Sequence, residues 1–128
     1  MRLLLDTHVL LWVKGEPERL SDSARGTILD PATELVFSVV SLWEIVIKSG
    51  RPRSGLSVDA GNLRAELLED GYSELDVQAA HVLEVGTLPK LHGDPFDRLL
   101  VAQARVEGLT LMTADHALTA YPVASMPA

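Results

Sequence analysis

Apolar positions along the chain fall into short unbroken runs that alternate with longer segments of helical spacing. Residues 2–5 (Arg-Leu-Leu-Leu) form the first run, stopped by Asp6-Thr7. Residues 34–38 (Glu-Leu-Val-Phe-Ser) form a second, which ends near Ser41. Both predict buried strands. Residues 109–112 make a third, introduced by Gly108 and followed by Thr113-Ala114-Asp115; residues 123–126, between Pro122 and Pro127, predict a short last strand, and 72–75 a weaker one. Helices are predicted over 21–30, 41–49, 58–70 with Ser57 as cap, and 77–85 after Asp76. The best defined is 95–107: Asp94 is a good N-cap, Pro95 suits the first helical position, the interior is nearly all apolar, and Gly108 stops it.

Strands alternating with helices imply βαβ units and an α/β fold whose parallel sheet is covered on both faces. At 128 residues the chain is expected to form a single domain, 1–128. With 47% hydrophobic residues and a mean hydropathy of +0.16, it has enough apolar surface for a sizeable core, which excludes intrinsic disorder. The absence of cysteine excludes a disulfide scaffold, a thiolate zinc site and a cysteine nucleophile, and fits a reducing compartment. Asp6 and His8 interrupt the apolar start before a signal-type segment develops, and no other stretch approaches the ~20 apolar residues of a membrane span. A cytoplasmic protein is therefore expected. The net charge of −7, with a pI near 4.9, argues against the broad basic surface of a non-specific DNA binder.

In a parallel sheet the ligand crevice lies beyond the carboxyl ends of the strands. Four acids are predicted there: Asp6 after the first strand, Glu44 after the second, Asp97 at the start of the long helix, and Asp115 after the third strand. Each alone has an ordinary reading as a helix terminus, Ser41-Leu42-Trp43-Glu44 resembling a capping box. Together they are less ordinary, because Asp6 would end a central buried strand, where an unpaired carboxylate is costly. Carboxylates gathered in one crevice repel one another, which protonation or a hard cation would relieve. Setting the four aside leaves 14 acids against 11 bases, so much of the excess charge belongs to this site. An oxygen-rich set favours Mg²⁺ or Mn²⁺ over zinc.

The segments Leu4-Leu5-Asp6-Thr7-His8, Ser41-Leu42-Trp43-Glu44-Ile45 with Lys48 one turn on, His92 to Ala104, and Leu111-Met112-Thr113-Ala114-Asp115 together resemble the PIN domain, most closely the VapC-type toxin ribonucleases of toxin–antitoxin modules. The likeness runs in order through nearly the whole chain, and its most specific stretch is His92 to Ala104. It implies a three-layer α/β/α fold, metal-dependent endoribonuclease activity leaving 5′-phosphate and 3′-hydroxyl ends, an antitoxin that blocks the site, and a homodimer. Carried across, the acidic quartet falls on Asp6, Glu44, Asp97 and Asp115, with Asp6 and Asp97 as the first metal ligands. Asp94 is either a fifth acid or only the cap before Pro95, and Thr7 and Thr113 would orient carboxylates or water around the ion. The apolar segments 9–13 and 43–47 offer surface for a dimer.

Lys48, Arg51 and Arg53 form the one local basic cluster, with Arg98 apart; they are read as contacts to RNA phosphates beside the acids, or else as a solvated helix end and loop. His8, His81, His92 and His116 are not required by metal-carboxylate hydrolysis. His116, next to Asp115, is the best placed of them, and His81 is expected on a surface helix. Trp12 and Trp43 read as core or interface residues more readily than as base-stacking platforms. A receiver-type phosphoacceptor domain is disfavoured, because no acidic pair follows the first strand and no lysine follows the last. A phosphatase of the Asp-x-Asp kind is disfavoured by Asp6-Thr7-His8. A catalytically idle binding module would lack one of the four acids, and none is missing.

Overall fold

Leu3, Leu4 and Leu5 have no exposed surface, as a strand buried between two layers requires, and this strand is the centre of the fold. The computed structural model describes residues 1–128. The elements run β1 (Arg2–Leu5), α1 (Thr7–Gly15), a 3₁₀ turn (Pro17–Arg19), α2 (Asp22–Leu29), β2 (Glu34–Ser38), α3 (Val39–Ser49), α4 (Ala60–Glu69), β3 (Ser73–Leu75), α5 (Ala79–Val85), α6 (Pro95–Glu107), β4 (Thr110–Thr113), α7 (His116–Thr119) and β5 (Ser125–Pro127). All strand pairs are parallel, in the order β3-β2-β1-β4-β5. No helix is long and apolar enough to cross a membrane.

Alternation along the strands divides the core into two layers. Leu3, Leu5, Phe37 and Met112 pack with residues of α1 to α4, whereas Leu4, Val36 and Leu111 pack mainly with α6 and α7. Truncating any of the β1 leucines to Ala would cost ~2–5 kcal/mol. The chain builds outward from β1 through β2 to β3, then returns to the other side of β1 for β4 and β5. That reversal opens a crevice at the carboxyl ends of β1 and β4, the switch point of such a sheet.

Most predicted elements are present, with shifted ends. α3 follows β2 without a loop: Ser38 caps it, its Oγ accepting the Val40 amide at 3.0 Å. Ser41, expected to open the helix and form a capping box, instead lies inside it and is buried; Glu44 is accordingly mid-helix. α4 is capped by Asp59, which accepts the Asn62 amide at 3.0 Å, not by Ser57. α5 starts at Ala79, two residues later than expected. His81, expected on a surface helix, is fully buried. Its Nδ1 accepts the Gln78 amide at 3.0 Å, and its Nε2 lies 3.0 Å from Glu107 Oε2. α6 has its predicted bounds, and Gly108 adopts the left-handed φ of 67° that ends it.

Candidate active site

Asp6 occupies the junction of β1 and α1, where the chain must turn from the sheet into a helix. Its Oδ1 caps α1 by accepting the Val9 amide at 2.9 Å, and it is only 3% exposed. Burial pushes its carboxyl above the usual carboxylate range, against hydrogen bonds from Thr113 and Val9 that pull it down. The next residue, Thr7, reaches across to α3: its Oγ1 is 2.7 Å from Glu44 Oε1 and 2.9 Å from Ser41 Oγ. With one hydroxyl proton available, Thr7 donates to the carboxylate and accepts from Ser41. Glu44, 2% exposed, has its second oxygen 2.5 Å from Lys48 Nζ.

The start of α6 forms the opposite wall. Asp94 Oδ1 accepts the amides of Phe96 at 2.8 Å and Asp97 at 3.2 Å, so the cap predicted for it is made. Asp97, one turn into the helix, receives no hydrogen bond from the protein within 3.5 Å. Burial first, then the charges of Asp94, Glu44 and Asp6, raise its carboxyl to about 7. Asp115 caps α7 through the Ala117 amide at 2.9 Å. That bond, with a contribution from His92, holds its carboxyl below the usual range.

His92 joins these groups and is not favoured by the sequence pattern. Its Nε2 lies 3.0 Å from Asp115 Oδ2 and 3.6 Å from Asp97 Oδ2, and its Nδ1 accepts the Asp94 amide at 3.0 Å. Because Nδ1 is an acceptor, the proton sits on Nε2, and the imidazole is a donor to Asp115 and not a metal ligand in this arrangement. His116, the expected histidine, is exposed. The signal for His92 is its place two residues before the Asp94 cap, where a ring can fold back onto the cap's amide.

The structure therefore brings Asp6, Glu44, Asp97 and Asp115 to the same end of the sheet, with Asp94, Thr7 and Thr113 beside them. Lys48 does not stand apart at the rim; it is paired to Glu44. Arg51 and Arg53 line a groove of about 810 Å³ that also touches Thr7, Glu44 and Lys48. Arg98 lies elsewhere, its guanidinium donating to the Val85 and Pro89 carbonyls and to Tyr121 Oη. It ties α6 to its surroundings. Trp43 stands edge-on to Phe96 with ring centroids 4.8 Å apart and is 54% exposed. In the apolar segment 9–13, Val9 and Leu10 are core residues.

The donor set suits a hard divalent cation. It consists of carboxylate oxygens held on separate elements, and Asp97 in particular has no protein donor to neutralise it.

The sequence model of the PIN domain matches residues 3–123. Ribonuclease VapC22 of Mycobacterium tuberculosis is 32% identical over 130 residues, covering 93% of this chain and 91% of that protein. Among solved structures, the fold is similar to VapBC2 from Rickettsia felis bound to a fragment of promoter DNA, with a TM-score of 0.73 and 16% identity over 100% of this chain and 99% of that one. It is also similar to VapBC-1 from nontypeable Haemophilus influenzae, with a TM-score of 0.64 and 22% identity over 99% and 98% of the two chains. The three-layer α/β/α arrangement, the order of the acidic segments and the extent of these matches agree, and the chain belongs to the PIN-domain family, in its VapC branch.

Proposed function

We propose that the protein is a Mg²⁺- or Mn²⁺-dependent endoribonuclease and the toxin of a toxin–antitoxin pair. The observation that carries this reading is the convergence of Asp6, Glu44, Asp97 and Asp115 from separate elements at the carboxyl ends of β1 and β4, in a chain related over nearly its whole length to a ribonuclease. Asp6 and Asp97 would hold the ion directly, with Glu44 and Asp115 reaching it through water; when bound it supplies Lewis acidity to a scissile phosphate and lowers the pKa of attacking water.

The protein's own groups prepare that chemistry. Thr7 fixes the orientation of Glu44, and His92 donates to Asp115, so two of the carboxylates are held before any ligand arrives. Arg51 and Arg53 would track RNA phosphates along the groove. Attack by water with the 3′-oxygen as leaving group would leave 5′-phosphate and 3′-hydroxyl ends.

The antitoxin would place a cationic side chain in the acidic crevice, since a pocket of this charge attracts one. Trp43 and Val46, both exposed on α3, would contribute to a homodimer, and the working compartment would be the cytoplasm. The test is cleavage of RNA with Mn²⁺ present or chelated, by wild type, Glu44→Gln and Asp97→Asn. Chelation is expected to abolish cleavage, and each variant to lose at least about 100-fold, the scale of removing one preorganised charge-stabilising group. Wild-type rates in either variant would sink the assignment.

A further inference from the structure

The acids of the crevice are not equivalent. On the α6 wall, Asp97 receives no hydrogen bond from the protein within 3.5 Å. On the α3 wall, both oxygens of Glu44 are already taken, Oε1 by the Thr7 hydroxyl at 2.7 Å and Oε2 by the Lys48 ammonium at 2.5 Å. The pair is spaced i,i+4 with the acid nearer the helix N-terminus, the favourable order. Glu44 is 2% exposed and Lys48 33%, so the ammonium closes the contact from the solvent side.

We propose that Lys48 is a tethered cation that takes the place of a second divalent ion, so that each chain holds one ion, at Asp6 and Asp97, and Lys48 acts as a positioning residue for Glu44. The inference rests on the crevice being a divalent-cation site and goes beyond it in fixing the ion count. A dication reaching Glu44 would have to displace the ammonium from a short contact and then tolerate its charge nearby. Removing Lys48 reverses the situation. A buried carboxylate that loses its partner is strongly destabilised unless another cation arrives. Thr7 and Ser41 cannot supply that charge, since both are neutral hydroxyls.

The test counts Mn²⁺ ions bound per chain by titration calorimetry in wild type, Lys48→Met, Lys48→Arg and Asp97→Asn. The expected counts are one for wild type and for Lys48→Arg, two for Lys48→Met, and none with appreciable affinity for Asp97→Asn. Two ions in wild type overturn the proposal, and this measurement needs no variant to fold. One ion in Lys48→Met also overturns it while leaving the metal site intact. No binding by wild type would remove both this proposal and the metal-dependent function on which it rests.

Discussion

Asp97 shows how one side chain turns burial into pH dependence. Its carboxyl titrates near 7 in the folded protein and near 4 when unfolded. Below about pH 4 the group is protonated in both states and contributes nothing to the pH dependence. Between about 4 and 7 the unfolded chain releases this proton while the folded protein keeps it, so stability falls as pH rises; above about 7 the penalty is complete. The shift corresponds to a ceiling of about 4 kcal/mol. Metal-free Asp97→Asn should therefore be more stable than wild type at pH 8, with the advantage fading toward pH 4, as followed by urea denaturation. An advantage that is equal at both pH values would mean that Asp97 ionises normally. At this scale the acids are legible in the sequence because they punctuate apolar runs, Asp6 after Leu5 and Asp115 after β4. The partner of Lys48 is also legible, since Glu44 stands four residues before it on one helix, whereas those of His92 are not, because they depend on where the ring folds back in space.

Among the elements, α6 has the ends its sequence predicts because every local signal agrees: an Asp cap, Pro at the first position, and Gly in the left-handed conformation after the last turn. The start of α3 is hidden because β2 runs into it with no intervening turn, and Val39-Val40 continue the β-branched pattern of the strand into the helix. Gln103 is equally hidden, lying among the apolar residues of α6. It is buried, with Oε1 2.5 Å from Ser38 Oγ and Nε2 3.2 Å from the Asp76 carbonyl, so a polar residue in an apolar run ties β2 to the segment before α5. The α6 cap also separates two roles for Asp94. Asp94→Ser keeps an oxygen for the Phe96 and Asp97 amides, whereas Asp94→Ala removes it. The serine variant should keep its stability within ~0.5 kcal/mol and the alanine variant lose ~1 kcal/mol in thermal or denaturant unfolding. Mn²⁺ affinity should fall by no more than about tenfold in the serine variant if Asp94 is a cap alone, the effect of losing one nearby negative charge. A larger loss in a protein of unchanged stability would make it a ligand.

For the whole molecule the question is how a chain of net charge −7 would hold a polyanion. Its negative charge is unevenly distributed: much of it lies in the crevice, while Arg51 and Arg53 are exposed in the loop after α3 and line the groove that leads to Glu44. Field and shape thus run together from the loop toward the acids. Lys48 does not count toward this track, since it is paired inside the site, nor does Arg98, which is bonded to the scaffold. The track should therefore depend on two arginines. Arg51→Ala with Arg53→Ala should weaken RNA binding and flatten its salt dependence, the logarithmic slope for single strands changing by roughly 0.7 for each phosphate that is no longer neutralised. Cleavage at saturating RNA should change little, because these side chains would hold substrate away from the reacting phosphate and bind ground and transition states alike. The pair of measurements is affinity against salt and single-turnover cleavage. An unchanged slope would place the loop in solvent, and a large drop in the saturated rate would place one of the arginines at the scissile phosphate.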